Sequence, residues 1–429
     1  MKNMSKFIAI RLLALVARAV IHRYHPRIVM VTGSVGKTST KDAVAAVFTT
    51  RFLVRSSEKS FNSEFGVPFT ILGVKNPWED PLSWLVVMKR TLALLLLPNH
   101  YPTMLVLEVG AEKPGDLAHI LGIVTPDMVV VTRLPEVPVH VEAYASPEEV
   151  REEEFSPAYA LPVSAPLVIP ADDHYALSMA ARTPARIISY GESDGANVRV
   201  SDIGFCESGK KVVGMRATVT AGDAHENVAV KGSVGTTHLL PIAAAIAAAT
   251  AFDIPLPEAF KALDTYEPPP GRSRLLAGKN DSVIIDDSYN SSPAAMEEAL
   301  ATLKAFPGAK RRIAVLGDML ELGRYSVLEH ERIGALVNES ADVIATVGIR
   351  ARAFALTGQT AAPKSGEVLP FDNSRAAALS LSGFVRAGDV ILVKGSQSMR
   401  TERIVEALLA DPADVSLLVR QEPEWKRKL

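Results

Sequence analysis

At 429 residues the chain is long enough for two or three domains, each burying its own core. Its 46 Lys and Arg against 48 Asp and Glu leave a formal net charge of −2, which excludes the broad basic field that a nucleic-acid partner requires. The single cysteine, Cys206, excludes a disulfide framework and a cysteine-based metal site, and 48% hydrophobic with 22% charged residues is the balance of a soluble globular protein.

The first 27 residues carry Lys2, Lys6, Arg11, Arg18, Arg23 and Arg27 and no acidic residue. Between these cations Phe7 to Ile21 is almost wholly apolar, with Arg11 and Arg18 one heptad apart on a helix. The run is too short to span a bilayer. A signal peptide would fit the charge pattern, and Ala17-Arg18-Ala19 resembles a cleavage site, but export would remove the following segment from ATP. The expectation is a helix over residues 1–27 packed on the next domain, with a basic helix lying on a membrane surface as the alternative.

A phosphate-binding loop follows. The β-branched run Ile28 to Val31 feeds the glycine turn Thr32-Gly33-Ser34-Val35-Gly36-Lys37-Thr38-Ser39, and Lys41 to Phe52 carries helical spacing. Such a loop aims backbone N–H groups and a helix N-terminus at phosphate oxygens. Lys37 would reach the β- and γ-phosphates and the Thr38 hydroxyl would hold Mg²⁺. The longer Walker pattern wants glycine at position 31, where Val31 stands, so this is the shorter Thr-Gly-x-x-Gly-Lys-Thr variant.

Trp84 to Leu97 is a second apolar segment, bounded by Pro81 and Pro98, with Lys89 and Arg90 inside it. Its spacing predicts a helix whose apolar face is Trp84, Leu85, Met88, Leu92, Leu95 and Leu96. Burial of that face is expected, the alternative being a lipid-facing patch shared with the N-terminal helix. Short apolar runs then alternate with helical stretches, the signature of parallel α/β architecture. Met104 to Leu107 ends in Glu108-Val109-Gly110, and Met128 to Thr132 ends near Arg133. Polar groups at strand C-termini are where open α/β sheets bind ligands, so Glu108 is placed to take Mg²⁺ directly or through water.

Leu161 to Asp173 is a further run, residues 196–232 lean towards strand, and Gly235 to Ala251 reads as an alanine-rich helix. Tyr266 to Arg272, with Pro268-Pro269-Pro270, is the clearest linker. A fresh α/β pattern begins after it, with strands expected at Ser282–Ile285, Arg312–Leu316, Val343–Val347 and Val390–Val393. Three polar clusters sit at strand ends: Asp286 to Pro293, Gly317 to Gly323, and Lys394-Gly395-Ser396. All three can face one cleft closed between the domains.

The phosphate loop, Asn62-Ser63-Glu64-Phe65-Gly66-Val67-Pro68, Glu108-Val109-Gly110, Gly271-Arg272 and these three clusters together resemble the Mur ligases, ATP-dependent amide-bond-forming enzymes of peptidoglycan synthesis. The resemblance runs from about residue 28 to 410. It points to the branch that adds D-alanyl-D-alanine to UDP-N-acetylmuramoyl-tripeptide. It implies a P-loop ATPase domain over 28–268 with a mostly parallel sheet, and a Rossmann-like α/β domain over 269–429. ATP and Mg²⁺ are the implied cofactors, and a nucleotide-sugar peptide and a dipeptide the implied partners. A substrate carboxylate would attack the γ-phosphate, and an amine would displace phosphate from the resulting acyl phosphate.

By this resemblance Gly33, Ser34, Gly36, Lys37, Thr38 and Ser39 bind the nucleotide, and Thr38 and Glu108 hold the first Mg²⁺. His140 stands where the family places a histidine near a second metal. Arg272, Asp286, Asp287 and Asn290 reach the nucleotide from the second domain. His238 matches the family's adenine-facing histidine, with Leu239 in place of the asparagine that follows it. Asn62, Ser63, Lys394 and Ser396 fall in substrate-binding motifs. Two departures stand out. Where the family has a metal-bridging carbamylated lysine this chain has Glu154, which offers similar oxygen chemistry on a shorter arm, with neighbouring Glu153 as the alternative. The loop also begins near residue 32, where the family has a whole UDP-gripping domain ahead of it. The leading expectation is therefore a cytoplasmic, monomeric Mur-type ligase. A ligase with a lipid-linked or polyglutamate-type acceptor and a non-catalytic nucleotide-binding protein are the alternatives.

Overall fold

The computed structural model describes residues 2–58, 62–77, 80–209, 211–356 and 367–426. Period-two alternation decides how the first sheet is built. β1 (Arg27–Thr32) sends Val29 and Val31 to one face and Ile28 and Met30 to the other. After β2 (Val54–Ser56), β3 (Met104–Glu108) and β4 (Met128–Val131) divide in the same way, Val106 and Val130 to the first face and Leu107 and Val131 to the second. Strands apolar on both faces must be covered on both, as parallel strands are. β5 (Pro166–Pro170) and β6 (Arg186–Gly191) continue the parallel part, and the antiparallel hairpins of β7 (Val198–Ser208), β8 (Lys211–Ala221) and β9 (Ala224–Lys231) finish it. The spatial order is β2-β3-β1-β4-β5-β6-β7-β8-β9.

Helices cover the two faces unequally. The first in the chain is α1 (Lys2–Tyr24), followed by α2 (Lys37–Phe48), α3 (Gly66–Leu72), α4 (Pro81–Leu96), α5 (Asp116–Leu121), α6 (Pro147–Tyr159) and α7 (His174–Ala180). α8 (Leu240–Ala251) and α9 (Leu256–Leu263) complete this half. α2, α8 and α9 lie on the Val29/Val31 face, and α1 and α3 to α7 on the other. α8 is apolar all round and its Ala243 to Ala249 are fully buried, the pattern of a helix inside a core rather than on a surface.

The second sheet has the order β10-β11-β15-β12-β13-β14, from β10 (Arg274–Gly278), β11 (Ser282–Asp287), β12 (Arg311–Gly317), β13 (Val343–Val347), β14 (Glu367–Phe371) and β15 (Asp389–Lys394). Only β10 runs antiparallel to its neighbour. α10 (Pro293–Ala305) and α11 (Ser326–Ser340) pack on the side that joins the α2/α8 core, so Met296, Leu316 and Ile333 belong to one apolar cluster with Val31 and Ile246. The two sheets are thus the expected α/β architecture, and they share a continuous buried contact.

Several elements differ from their sequence expectation. The helix after the loop covers Lys37–Phe48 rather than Lys41–Phe52, because Gly36 at φ 88° starts it immediately after the turn. In the run Leu161 to Asp173 only Pro166–Pro170 is strand, and Asp173 instead caps α7 by accepting from Tyr175 N and Ala176 N. Gly235 to Ala251 opens as a 3₁₀ turn, Thr236–His238, before α8 begins at Leu240. The N-terminal helix is packed as expected, with Leu13, Ala17 and Val20 buried. The second helix is not: of the face expected inside, Trp84 and Leu95 touch the core, while Leu85, Met88, Leu92 and Leu96 point outward. The inward contacts come from Val87 and Leu94, which lie off the stripe that the leucines define.

Candidate active site

The loop between β1 and α2 needs its glycines. Gly33 has φ 114°, and a Cβ there would lie 2.5 Å from Thr132 Oγ1. Gly36 precedes α2 without any side-chain cap, so the first-turn N–H groups are left for an anion. Lys37 folds back along the loop, its Nζ donating to Gly33 O and lying 3.4 Å from Ser34 O. Thr38 and Ser39 are buried in the first turn, and Tyr266 Oη, from the linker, donates to Ser39 O at 3.1 Å. Asn62 comes beside this group: Gly110 N donates to Asn62 O at 3.0 Å, and Gly110 sits against both the Asn62 amide and Lys37 Cε. Ser63 starts α3 through its carbonyl, which accepts from Val67 N.

Three acid–base groups surround the loop. Glu108 ends β3, buried, and its Oε2 has no hydrogen-bond partner. A polar oxygen left bare in an interior is costly, and a divalent cation with the Thr38 hydroxyl as co-ligand would satisfy it, since both are hard oxygen donors. Glu154, on α6, is fully buried; Ser34 Oγ donates to its Oε2 at 2.5 Å, and Lys37 Nζ lies 4.0 Å from its Oε1. Desolvation pushes its carboxyl up from the usual range, while Lys37 and the Ser34 hydrogen bond oppose the shift. Its neighbour Glu153 turns away and accepts from Gly115 N and Leu117 N at the start of α5. His140 sits at φ 66° and its Nδ1 is 2.8 Å from Glu321 Oε2 of the second half. Among the described residues no three His, Cys, Asp or Glu side chains gather as a metal cluster. Glu108, His140 and Glu154 surround the loop but are not drawn to one point, because His140 is held by Glu321 and Glu154 by Ser34 and Lys37.

The second half supplies the opposing wall. Arg272 Nη2 donates to Thr38 Oγ1 at 3.2 Å, and its guanidinium lies 4.3 Å from the centre of the Tyr289 ring. Lys394 is buried and donates to Asp287 Oδ2 at 2.7 Å and to Asn290 O at 3.0 Å. Ser396 Oγ accepts from Leu320 N at 2.8 Å, which ties the third polar cluster to the second. Asp286 is fully buried, and desolvation pushes its pKa up to about 6 despite hydrogen bonds from Ser288. His238 is also buried, and desolvation pulls its pKa down to about 4, so the ring is neutral at pH 7.

Three contributors escape sequence reading. Glu321 lies within the Gly317–Gly323 string, yet nothing in the string marks it as the partner of His140. Arg133, at the end of β4, pairs with Glu298 on α10 and so joins the halves. Arg420 is buried and donates to Ser288 O and Tyr289 O, fixing the loop after β11 from far along the chain. No local pattern announces it.

Comparison with known proteins agrees with this geometry. The family model described as "Mur ligase middle domain" matches residues 31–249, and "Mur ligase, glutamate ligase domain" matches residues 271–397. The UDP-N-acetylmuramoyl-tripeptide–D-alanyl-D-alanine ligase of Mycobacterium tuberculosis is 31% identical over 407 residues, covering 90% of this chain and 73% of that protein. The ligase of the same name from Bacillus subtilis is 26% identical, covering 92% of this chain and 79% of its own length. Among solved structures, a MurF ligase from Thermotoga maritima in complex with ADP superposes with a TM-score of 0.74 at 26% identity, over 93% of this chain and 83% of the other. A folylpolyglutamate synthase of Mycobacterium tuberculosis complexed with ADP superposes at 0.64 and 15% identity over 95% and 99%, a likeness of fold alone. With both domain models matched in order and Arg272 of the second half donating to Thr38 of the phosphate loop, the chain belongs to the Mur ligase family, ATP-dependent ligases that form carbon–nitrogen bonds.

Proposed function

We propose that the chain joins the amino group of D-alanyl-D-alanine to the carboxylate of a UDP-N-acetylmuramoyl-peptide, consuming ATP. The observation that carries the reading is the contact of Arg272 with Thr38, which closes a phosphate loop from the second half. The names of the most similar relatives supply the substrates. In the first step a carboxylate oxygen attacks the γ-phosphorus, the bridging P–O bond breaks and its electron pair leaves with ADP. The amino nitrogen then attacks the acyl carbon, phosphate departs with the C–O electron pair, and the nitrogen loses a proton.

Each residue has a part suited to its position. Gly33, Ser34 and Gly36 shape the cradle, and the first-turn N–H groups at Lys37, Thr38 and Ser39 receive phosphate oxygens. Lys37 would swing from Gly33 O to the transferring group and stabilise charge there. Thr38 and Glu108 would hold Mg²⁺, which neutralises charge on the phosphate oxygens when bound. His140 and Glu154 would hold a second cation once His140 is released from Glu321, with Glu154 supplying directly the carboxylate that the family obtains by carbamylating lysine. Arg272, Asp286, Asp287 and Asn290 would frame the nucleotide from the second half, with neutral, buried His238 beside Asp287 and Arg272. Asn62 and Ser63 meet the peptide carboxylate side, and Lys394 and Ser396 the incoming amine.

Purified chain with ATP, Mg²⁺ and UDP-N-acetylmuramoyl-tripeptide should release phosphate only when D-alanyl-D-alanine is added, with the amide product seen by mass. ATP binding without that product would overturn the substrate assignment.

A further inference from the structure

α1 and α4 lie side by side on the same side of the first sheet. Leu13, Ala17 and Val20 of α1 and Val87 and Leu94 of α4 belong to one buried cluster. Arg23 Nη1 donates to Leu95 O at 2.6 Å, and Tyr24 Oη donates to Leu94 O at 2.8 Å. Since their inner stripes share a core, their outer stripes face the same way.

Those outer stripes are apolar and cationic together. On α4, Leu82, Leu85, Met88, Leu92 and Leu96 are each at least half exposed. Lys89 is exposed in their midst, on the line from Leu85 to Leu92 that helical spacing draws. On α1, Leu12 and Leu15 are exposed beside Arg11, Arg18 and His22. No acidic residue occurs in residues 1–41 or 81–107, although acidic residues outnumber basic ones in the whole chain. A contiguous apolar patch of this kind marks an interaction surface. Its occupant must accept leucines and complement cations over the same area, and an anionic lipid surface does both: acyl boundary for the leucines, headgroup charge for Lys and Arg. No helix among the described residues is long and apolar enough to cross a membrane.

We propose that the paired outer faces of α1 and α4 dock on an anionic membrane surface, with both helices lying in the interface. Lys89 and Arg18 extend their stems along the leucines and hold their charges at headgroup level. The second sheet joins the core on the opposite side, so docking leaves the cleft between the halves free.

The test is flotation of the full chain with phosphatidylcholine vesicles, with and without phosphatidylglycerol, at low and high salt. The expected result is binding only to the anionic vesicles, weakened by salt. Arg18→Glu with Lys89→Glu should lower partitioning roughly thirtyfold or more. Leu85→Ser with Leu92→Ser and Leu96→Ser should abolish it, and both variants should keep the wild-type melting temperature and ATP binding. Absence of binding to any vesicle, or equal binding by the charge-reversed variant, would overturn the proposal. So would a dimer in sedimentation velocity that the leucine variant dissociates, which would assign the patch to a second copy.

Discussion

Lys37 has its ammonium parked on the carbonyl of Gly33, close to Glu154, and no other cation of the loop can replace it. Lys37→Ala is therefore expected to lower turnover by about 10²-fold or more, the scale of losing one donor to a transition-state charge, and to lower the melting temperature because buried Glu154 loses its nearby cation. Steady-state ATP hydrolysis and a thermal scan check both halves of that statement. Glu154 carries a different prediction. A lysine carbamate needs CO₂ and a glutamate does not, so activity should be identical in CO₂-depleted and bicarbonate-containing buffer, and Glu154→Gln should remove most of it in either. A bicarbonate requirement in the native chain would contradict the role given to Glu154. Asp286 and His238 make opposite contributions to stability. The raised carboxyl of Asp286 stabilises the fold below its unfolded pKa near 4, and that contribution is lost as pH rises through about 6. The depressed ring of His238 favours the fold above its unfolded pKa near 6.5, and that contribution is lost as pH falls towards 4. Urea unfolding of Asp286→Asn between pH 4 and 6.5 should show stability rising with pH more steeply than in the native chain. The phosphate loop is legible in the sequence because it is a contiguous string. The reach of Arg272 to Thr38 is not, since 234 positions separate them and only the folded linker closes the gap.

At the level of elements, strands are the more legible part. β1, β3 and β4 announce themselves because each buries both faces, so nearly every residue is apolar. Helices are harder where apolar residues lie on more than one side. On α4 the leucine stripe was the stronger pattern, yet tertiary packing selected Val87 and Leu94 and left Leu85, Leu92 and Leu96 outside. The contrast with α8 can be measured. Ala247→Leu adds volume to a helix with no free face and should cost about 1–3 kcal/mol. Leu92→Ala removes volume from an exposed position and should stay within about 0.5 kcal/mol. Chemical denaturation of the two variants decides the point, and a large loss at Leu92 would mean that α4 packs the other way round.

Across the whole molecule the side-chain contacts that join the halves around the loop include Arg272 on Thr38, His140 on Glu321, and Arg133 on Glu298, beside the shared apolar core. None is encoded by neighbouring residues, which is why the cleft is expected from the sequence but its contacts are not. Opening and closing of this cleft would admit substrates and then assemble the site. Arg272 both donates to the loop and stacks on Tyr289, and lysine can reproduce only the charge. Arg272→Lys should therefore raise KM for ATP and lower kcat together, as steady-state kinetics would show. The most direct measurement is the fate of oxygen from a UDP-N-acetylmuramoyl-tripeptide labelled with ¹⁸O in its reacting carboxylate. An acyl phosphate requires that one labelled oxygen leave in the inorganic phosphate as the amide forms, read by mass spectrometry of the phosphate. Amide product with unlabelled phosphate would contradict the two-step route proposed for this cleft.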